Sequence, residues 1–151
     1  MDVEIIEYED ALVEQIVTMW RPSQKLAFGQ DSIHNYEEDV RFIKETLSKN
    51  TRILLAKSIV EERIVGMVAF TPSSVSQLYI DIDSINEGIG TQLLDIAKKE
   101  SIGSLELYTY QTNLRSRSFY EKHDFKEVAQ GDTKELNLPD IMYQWTSESS
   151  D

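Results

Sequence analysis

Apolar positions along this chain switch repeatedly between a period of two and a period of three to four. Val3 and Ile5 alternate with acidic residues and predict an opening strand that reaches Tyr8. Leu12, Ile16 and Met19–Trp20 recur at helical spacing, and Pro22 is expected to end that helix. A polar loop from Phe28 to Asn35 follows, and then a helix over Tyr36 to Leu47. Asn35 is its expected cap, and Val40, Ile43 and Leu47 fall on one face. Ile53–Ile59 and Ile64–Phe70 are runs rich in β-branched residues and predict a hairpin across Val60–Arg63. Further strands are expected at Val75–Ile82, Leu105–Tyr110, Phe125–Ala129 and, after Pro139, Ile141–Trp145. Helices are expected after Gly88-Ile89-Gly90, carrying Leu93, Leu94 and Ile96–Ala97, and over Leu114–Lys122.

The predicted order is β α α β β β α β α β β. The unit around residues 75–110 reads strand, helix, strand and implies a parallel pair, whereas the hairpins imply antiparallel ones. The expected fold class is therefore α/β in the mixed α+β sense: one sheet of mixed direction with helices on its faces.

Two segments carry candidate chemistry. In the first, a strand through Tyr79-Ile80-Asp81 enters a turn, Ile85-Asn86-Glu87-Gly88-Ile89-Gly90-Thr91, that opens a helix. Glycines at 88 and 90 remove Cβ atoms that would block a close ligand. The amides of Gly88 to Thr91 lie at a helix N-terminus, which favours an anion such as phosphate or pyrophosphate. A tight connection with no ligand is the alternative reading of the same glycines. Leu93 stands where a dinucleotide fingerprint needs a third small residue, and no Gly-Lys-Ser/Thr follows, so neither that motif nor the P-loop is present.

In the second segment, Asn113, Ser116 and Tyr120 stand at i, i+3 and i+7 and share one helical face. A thin ligand lying along that face meets a polar group at each end. Arg115, Arg117, Lys122 and Lys126 make this stretch locally basic, although a solvated charged face explains the same residues. His123, just after the helix, is expected at the surface.

Charge and composition narrow the options. Among 151 residues, 15 are basic and 27 acidic, a formal net charge of −12. Such a body repels polyanions, so nucleic acid is not an expected partner. No cysteine is present, which removes disulfides, thiolate metal sites and a Cys nucleophile, and no metal site is expected. The N-terminus reads Met-Asp-Val-Glu, unlike a secretory signal, and the apolar runs are too short to span a membrane. A cytoplasmic protein is the expectation. One domain over residues 1–146 is expected, with residues 147–151 as a polar, disordered tail.

The two segments together resemble the GNAT superfamily of acyl-CoA-dependent N-acyltransferases, from about Val3 to Trp145. Asn-Leu-Arg-Ser-Arg-Ser-Phe-Tyr-Glu-Lys at 113–122 is the most specific part. The resemblance implies a single domain with a splayed, mostly antiparallel sheet of about seven strands and about four helices. It implies that the turn from Ile85, Asn86 and Glu87 through Gly88, Ile89, Gly90 and Thr91 holds the pyrophosphate of acetyl-CoA. By the same likeness, Tyr79, Ile80 and Asp81 pair backbone groups with the pantetheine arm. Asn113, with Ser116, Arg117 and Lys122 on its helix, contacts the cofactor, and Tyr120 protonates the leaving thiolate. A neutral amine attacking a thioester needs a donor for the oxyanion and an acid for the sulfur, and needs no metal.

The chain departs from the family pattern where Ile85 replaces the usual Gln or Arg and where Glu87 adds negative charge to the turn. These departures motivate an alternative, a non-catalytic acyl-CoA-binding or regulatory module on the same scaffold. For the acceptor, a primary amine of a small molecule or peptide, the spacing nominates no carboxylate base. His34 lies in the loop that borders the acceptor site in the resembling family. Phe28 and Tyr36 flank it and either line a pocket or pack two helices together. Tyr108 alternates with Glu106 and Tyr110 on one strand face. The overall acidity suits a cationic amine. A homodimer is compatible with the resemblance, with no seam visible in the residues.

Overall fold

The strand with the longest apolar run becomes the middle of the molecule. In the computed structural model, which describes residues 1–31, 33–133 and 138–147, Ile64 to Phe70 are all buried. Side chains on both faces of this strand enter cores. Val68 and Phe70 join one cluster with Leu93, Leu94 and Tyr120, and Met67 and Ala69 join another with Ile16, Trp20 and Ile43. Burial on both faces is why the run shows no polar alternation.

The described elements are β1 (Val3–Glu7), a 3-10 turn (Asp10–Leu12), α1 (Val13–Phe28) and α2 (Tyr36–Phe42). The second helix continues through a π turn (Ile43–Leu47) and a last α turn (Ser48–Asn50). Then come β2 (Arg52–Ser58), β3 (Ile64–Thr71), β4 (Ser74–Ile80), α3 (Ile89–Lys99), β5 (Ser104–Tyr110), α4 (Leu114–Lys122), β6 (Lys126–Thr133) and β7 (Leu138–Thr146). The seven strands form one sheet in the order β1-β2-β3-β4-β5-β7-β6. Only β4 and β5 run parallel, and the other pairs are antiparallel. The fold is thus the single α+β domain expected, with a mixed, mostly antiparallel open sheet and four helices among the described residues.

Three local expectations need correction. Pro22 does not end the first helix, which runs to Phe28 with Pro22 inside it. The turn beyond the proline is held from outside. The Ser23 hydroxyl donates to Ile80 O at 2.7 Å, Ser23 and Gln24 are buried, and the Phe28 ring meets Tyr110 edge-on at 4.9 Å. Tertiary contacts therefore outweigh the missing backbone donor. The helix stops at Gly29, whose φ of 74° is left-handed and whose N–H donates to Lys25 O. Pro139 lies within β7 rather than before it. It falls just past the end of β5, where Gln111 N–H needs only the Pro139 carbonyl, at 2.9 Å. The sixth strand extends to Thr133, and its register skips Val128, which bulges outward and is exposed. An edge strand with this much solvent contact carries little hydrophobic signal.

Asn35 caps α2 as expected. Its side chain accepts from Glu38 N, and the Glu38 carboxylate accepts from Asn35 N, which completes a capping box. Of the expected polar tail, residues 148–151 lie outside the described residues.

Candidate active site

A parallel pair of strands opens into a cleft. β4 and β5 pair only at Ser74 and Glu106. Immediately afterwards the register of β4 on β3 jumps from Val75 to Gln77, so Ser76 is an extra residue. A bulge bends its strand, and this one turns β4 away from β5. The consequence follows from strand parity. Asp81 N–H donates to Val65 O at 2.8 Å, so Asp81, Tyr79 and Gln77 direct their backbone groups at β3. Leu78 and Ile80 direct theirs at the gap that β5 has vacated. The Ile80 carbonyl takes the Ser23 hydroxyl there. Both residues line a cavity of about 770 Å³ that runs between the two strands and out to α3 and α4.

The glycine turn lies at one end of this cavity. Gly88 has φ 80° and caps α3 without a side chain, so no side-chain acceptor occupies the first-turn N–H groups. Space for a Cβ at Gly88 is open, and the left-handed backbone is what requires glycine there. Gly90 is different. A Cβ on it would stand 3.2 Å from the ring of Phe119, so its smallness lets α3 and α4 pack closely rather than admitting a ligand. The expectation that both glycines clear room for a guest is corrected at this position. The amides of Ile89, Gly90 and Thr91 still form a bare helix N-terminus in a cavity wall, and this arrangement fits a phosphate group.

The helix α4 forms the opposite wall. Asn113 caps it, its carbonyl oxygen accepting from Ser116 N at 3.2 Å. Ser116, Tyr120 and Lys122 line the cavity with Asn113. The Tyr120 ring is buried against Phe119, Phe125 and Tyr143. No hydrogen-bond partner for its hydroxyl is found among the described residues. Burial pushes the Tyr120 phenol well above its ordinary range, so it stays protonated at any physiological pH. Tyr79 is raised in the same way, first by burial and then by the neighbouring Tyr120 and Tyr110 phenols.

The structure brings together Tyr79, Ile80, Ile85, Asn86, Gly88, Ile89, Gly90, Thr91, Asn113, Ser116, Tyr120 and Lys122 around one cavity. Three other expected cofactor residues point elsewhere. The backbone of Asp81 is spent on Val65, and that of Tyr79 faces β3 in the same way. The expected backbone pairing with a pantetheine arm is therefore corrected at both and stays open at Ile80. The Asp81 carboxylate pairs with Arg63 at 3.1 Å and accepts from Asp83 N. Glu87 pairs with the N-terminal ammonium at 3.0 Å. Arg117 crosses to the far side of α4, where its guanidinium donates to Tyr143 Oη and Gln111 O and lies near Glu127.

A second cavity, of about 560 Å³, opens between α1, α2 and the same strands. Phe28, Ser76, Gln77, Tyr79, Tyr108, Thr109 and Tyr110 border both cavities, which therefore meet beside the β4 bulge. Of the expected acceptor residues, Phe28 and Tyr108 belong to this shared border and His34 lines the second cavity alone. Tyr36 lines neither, and its hydroxyl donates to Glu14 at 3.4 Å between the first two helices. The loop that carries His34 is fastened by Arg21, which donates to His34 O at 2.9 Å and to buried Asp39 at 2.6 Å.

Sequence reasoning missed Gln77, Trp20 and Arg115 as cavity residues and placed His123 at the surface. His123 is half-buried and lines the larger cavity. The signal for it was present, because Ser116, Tyr120 and His123 stand at i, i+4 and i+7 on one face. Among the described residues, no group of three or more His, Asp or Glu is placed to hold a metal ion, and no helix is long and apolar enough to cross a membrane.

Comparison with known proteins agrees with this geometry. Residues 49–127 match the family model of the acetyltransferase (GNAT) domain. No curated protein matches the sequence significantly. Among solved structures, the chain resembles a PaiA N-acetyltransferase from Thermoplasma acidophilum in complex with coenzyme A. That likeness has 23% identity and a TM-score of 0.69 over 97% of this chain and 99% of the other. It also resembles a GNAT-family acetyltransferase from Staphylococcus aureus Mu50, with 22% identity and a TM-score of 0.75 over 96% and 99% of the two chains. Apo YjaB from Escherichia coli gives 18% identity and a TM-score of 0.76 over 97% and 99%. At these identities the solved structures bear on the fold alone, whereas the family model covers just over half the sequence. The chain belongs to the GNAT acetyltransferase family.

Proposed function

We propose that the protein is an N-acetyltransferase that moves an acetyl group from acetyl-CoA to a primary amine of a small molecule or peptide. Attack is direct, with both substrates bound at once. The observation that carries this reading is the meeting of two cavities beside the unpaired edge of β4, one with a bare helix N-terminus at its far end. Acetyl-CoA supplies the activated thioester carbonyl when bound. The amides of Ile89, Gly90 and Thr91 receive phosphate oxygens, and the unpaired edge at Leu78 and Ile80 receives the amide-bearing arm. An N–H on that edge donates to a carbonyl oxygen as it gains charge. The amine sheds its ammonium proton to water in the cleft before it attacks. Tyr120, held neutral by burial, gives its proton to the sulfur as the C–S bond breaks. The second proton, lost by the new amide nitrogen, returns through water to restore the phenol.

The amine enters from the second cavity. Its walls include Trp20, Phe28, Phe42 and Tyr79, and Glu38, Asp39 and Glu45 outnumber Arg41 among the charges along α2 and its π turn. This lining suits an amine with apolar substance that arrives as a cation. Ile85 and Glu87 favour the second reading, a module that binds acyl-CoA without turning it over. Ion pairing of Glu87 reduces its weight against phosphate.

Thiol release from acetyl-CoA across a panel of primary amines separates the two. The enzyme reading expects amine-dependent release that saturates. Calorimetric binding of acetyl-CoA with no release from any amine would favour the non-catalytic module, and absence of binding would overturn both.

A further inference from the structure

The proposed phosphate site has an unusual source of positive charge. The turn from Ile85 to Thr91 contains no cation and one acid. Among the described residues, the basic side chains lining the cavity, Arg115, Lys122 and His123, come from α4 and its C-terminal end. Of these, His123 makes direct contact with the turn's helix. Its Nε2 lies 3.1 Å from Thr91 Oγ1, in the first turn of α3. The ring packs on Phe119 at 4.6 Å, and the His123 carbonyl accepts from Lys98 Nζ at 2.6 Å, so both the ring and the backbone of this residue are anchored.

Resting on the coenzyme A reading, we propose that His123 and Thr91 form a proton-linked arm of the anion site, so that phosphate binding at the α3 N-terminus takes up a proton on His123. The hydrogen bond supplies the switch. With neutral imidazole, Nε2 can accept the Thr91 hydroxyl proton, which turns that proton away from the cavity. With imidazolium, Nε2–H donates to Thr91 Oγ1, and the hydroxyl proton is free to meet a phosphate oxygen. Protonation also adds a positive charge beside the anion.

The charged groups around the ring are Asp95 and Lys98 on α3, and Lys122 and Asp124 on either side of His123 in the chain. Burial, followed by the repulsion of Lys98 and Lys122, holds the imidazole below its ordinary range in the ligand-free protein, against the opposing pull of Asp95 and Asp124. The protein alone therefore keeps this group neutral at neutral pH, and an arriving anion reverses the balance. Reciprocity then requires affinity to rise as pH falls, by up to about tenfold for each unit that the anion lifts the imidazole.

The test uses dephospho-coenzyme A, because the phosphate monoester of coenzyme A itself titrates near pH ~6. Calorimetry on the full chain at about pH 8 and about pH 5.5, in buffers of different ionisation enthalpy, reads both affinity and proton uptake. The expected result is tighter binding at the lower pH with net proton uptake in the intermediate range. In His123→Gln both effects vanish while binding persists, and Thr91→Val keeps part of the proton uptake but binds more weakly. Binding whose pH profile is the same in the parent and His123→Gln would overturn this inference and leave the coenzyme A reading standing. No binding at either pH would overturn both.

Discussion

The two cavities are built in opposite ways. The larger one presents backbone at two places, a strand edge freed by a bulge and a helix N-terminus left bare by Gly88, opposite the side chains of α4. The smaller one is made of side chains drawn from α1, α2 and the ends of β4 and β5. Backbone geometry recognises features that many acyl-CoA molecules share, such as phosphates and amide groups. Side chains discriminate among acceptors. The difference suggests why one half of such a site can persist while the other is rewritten, since changing Trp20 or Phe42 leaves the strand edge and the turn in place.

Substitutions that strike one cavity and spare the other test this division. The largest stability effect is expected from Arg21→Leu. It leaves Asp39, whose side chain is 4% exposed, without its partner at 2.6 Å. Breaking a buried pair costs about 3 kcal/mol when one partner is partly solvated, which a melting curve reads directly. Because Arg21 also holds the His34 carbonyl, the acceptor KM should rise while acetyl-CoA affinity stays the same. A parallel loss of acetyl-CoA binding would contradict the separation.

Gly90→Val drives a side chain against Phe119. Overpacking of this kind costs about 1–3 kcal/mol and should push α3 off α4, so acetyl-CoA binding weakens with stability. Gly88→Ala keeps its space but not its comfort, since a φ of 80° costs a Cβ-bearing residue about 1–2 kcal/mol. Here calorimetry should find a smaller loss of affinity than for Gly90→Val.

The smallest effect is an expected constancy. Burial raises the Tyr120 phenol above its ordinary value, so it is fully protonated below about pH 10 and the turnover rate should show no alkaline fall up to that point. The sign for stability runs the same way. Tyr120 ionises first in the unfolded chain, so its contribution is intact below about pH 10 and declines above it. A rate that dropped with an apparent pKa near 9 would mean that another acid carries the proton.

The same contrast governs what could be read from the sequence. The glycine turn and the Asn113–Tyr120 face are contiguous, so spacing alone placed most of their residues, though not Glu87 or Arg117, around one cavity. Arg117 follows Ser116 by one residue and hence lies about 100° around the helix, facing Tyr143 rather than the cavity. His123 extends the stripe of Ser116 and Tyr120, which is why it lines the cavity rather than the open surface expected for a residue just past the helix. Gly90 had the right identity for a different reason, because only the packed structure shows Phe119 in the space of its missing Cβ. Pro22 misled because a local rule was outvoted by the Ser23 and Phe28 contacts, which join residues far apart in sequence. The lining of the second cavity was legible only at Phe28, His34 and Tyr108, since its other walls come together through tertiary packing.

The most direct test of the central claim compares Tyr120→Phe with the parent chain, by amine-dependent thiol release and by calorimetric binding of acetyl-CoA. The phenylalanine ring keeps the core contacts with Phe125 and Tyr143, so the fold and the affinity should be retained. Loss of the general acid should lower kcat by about 10²–10⁴. Full turnover by Tyr120→Phe at saturating substrates would contradict the account.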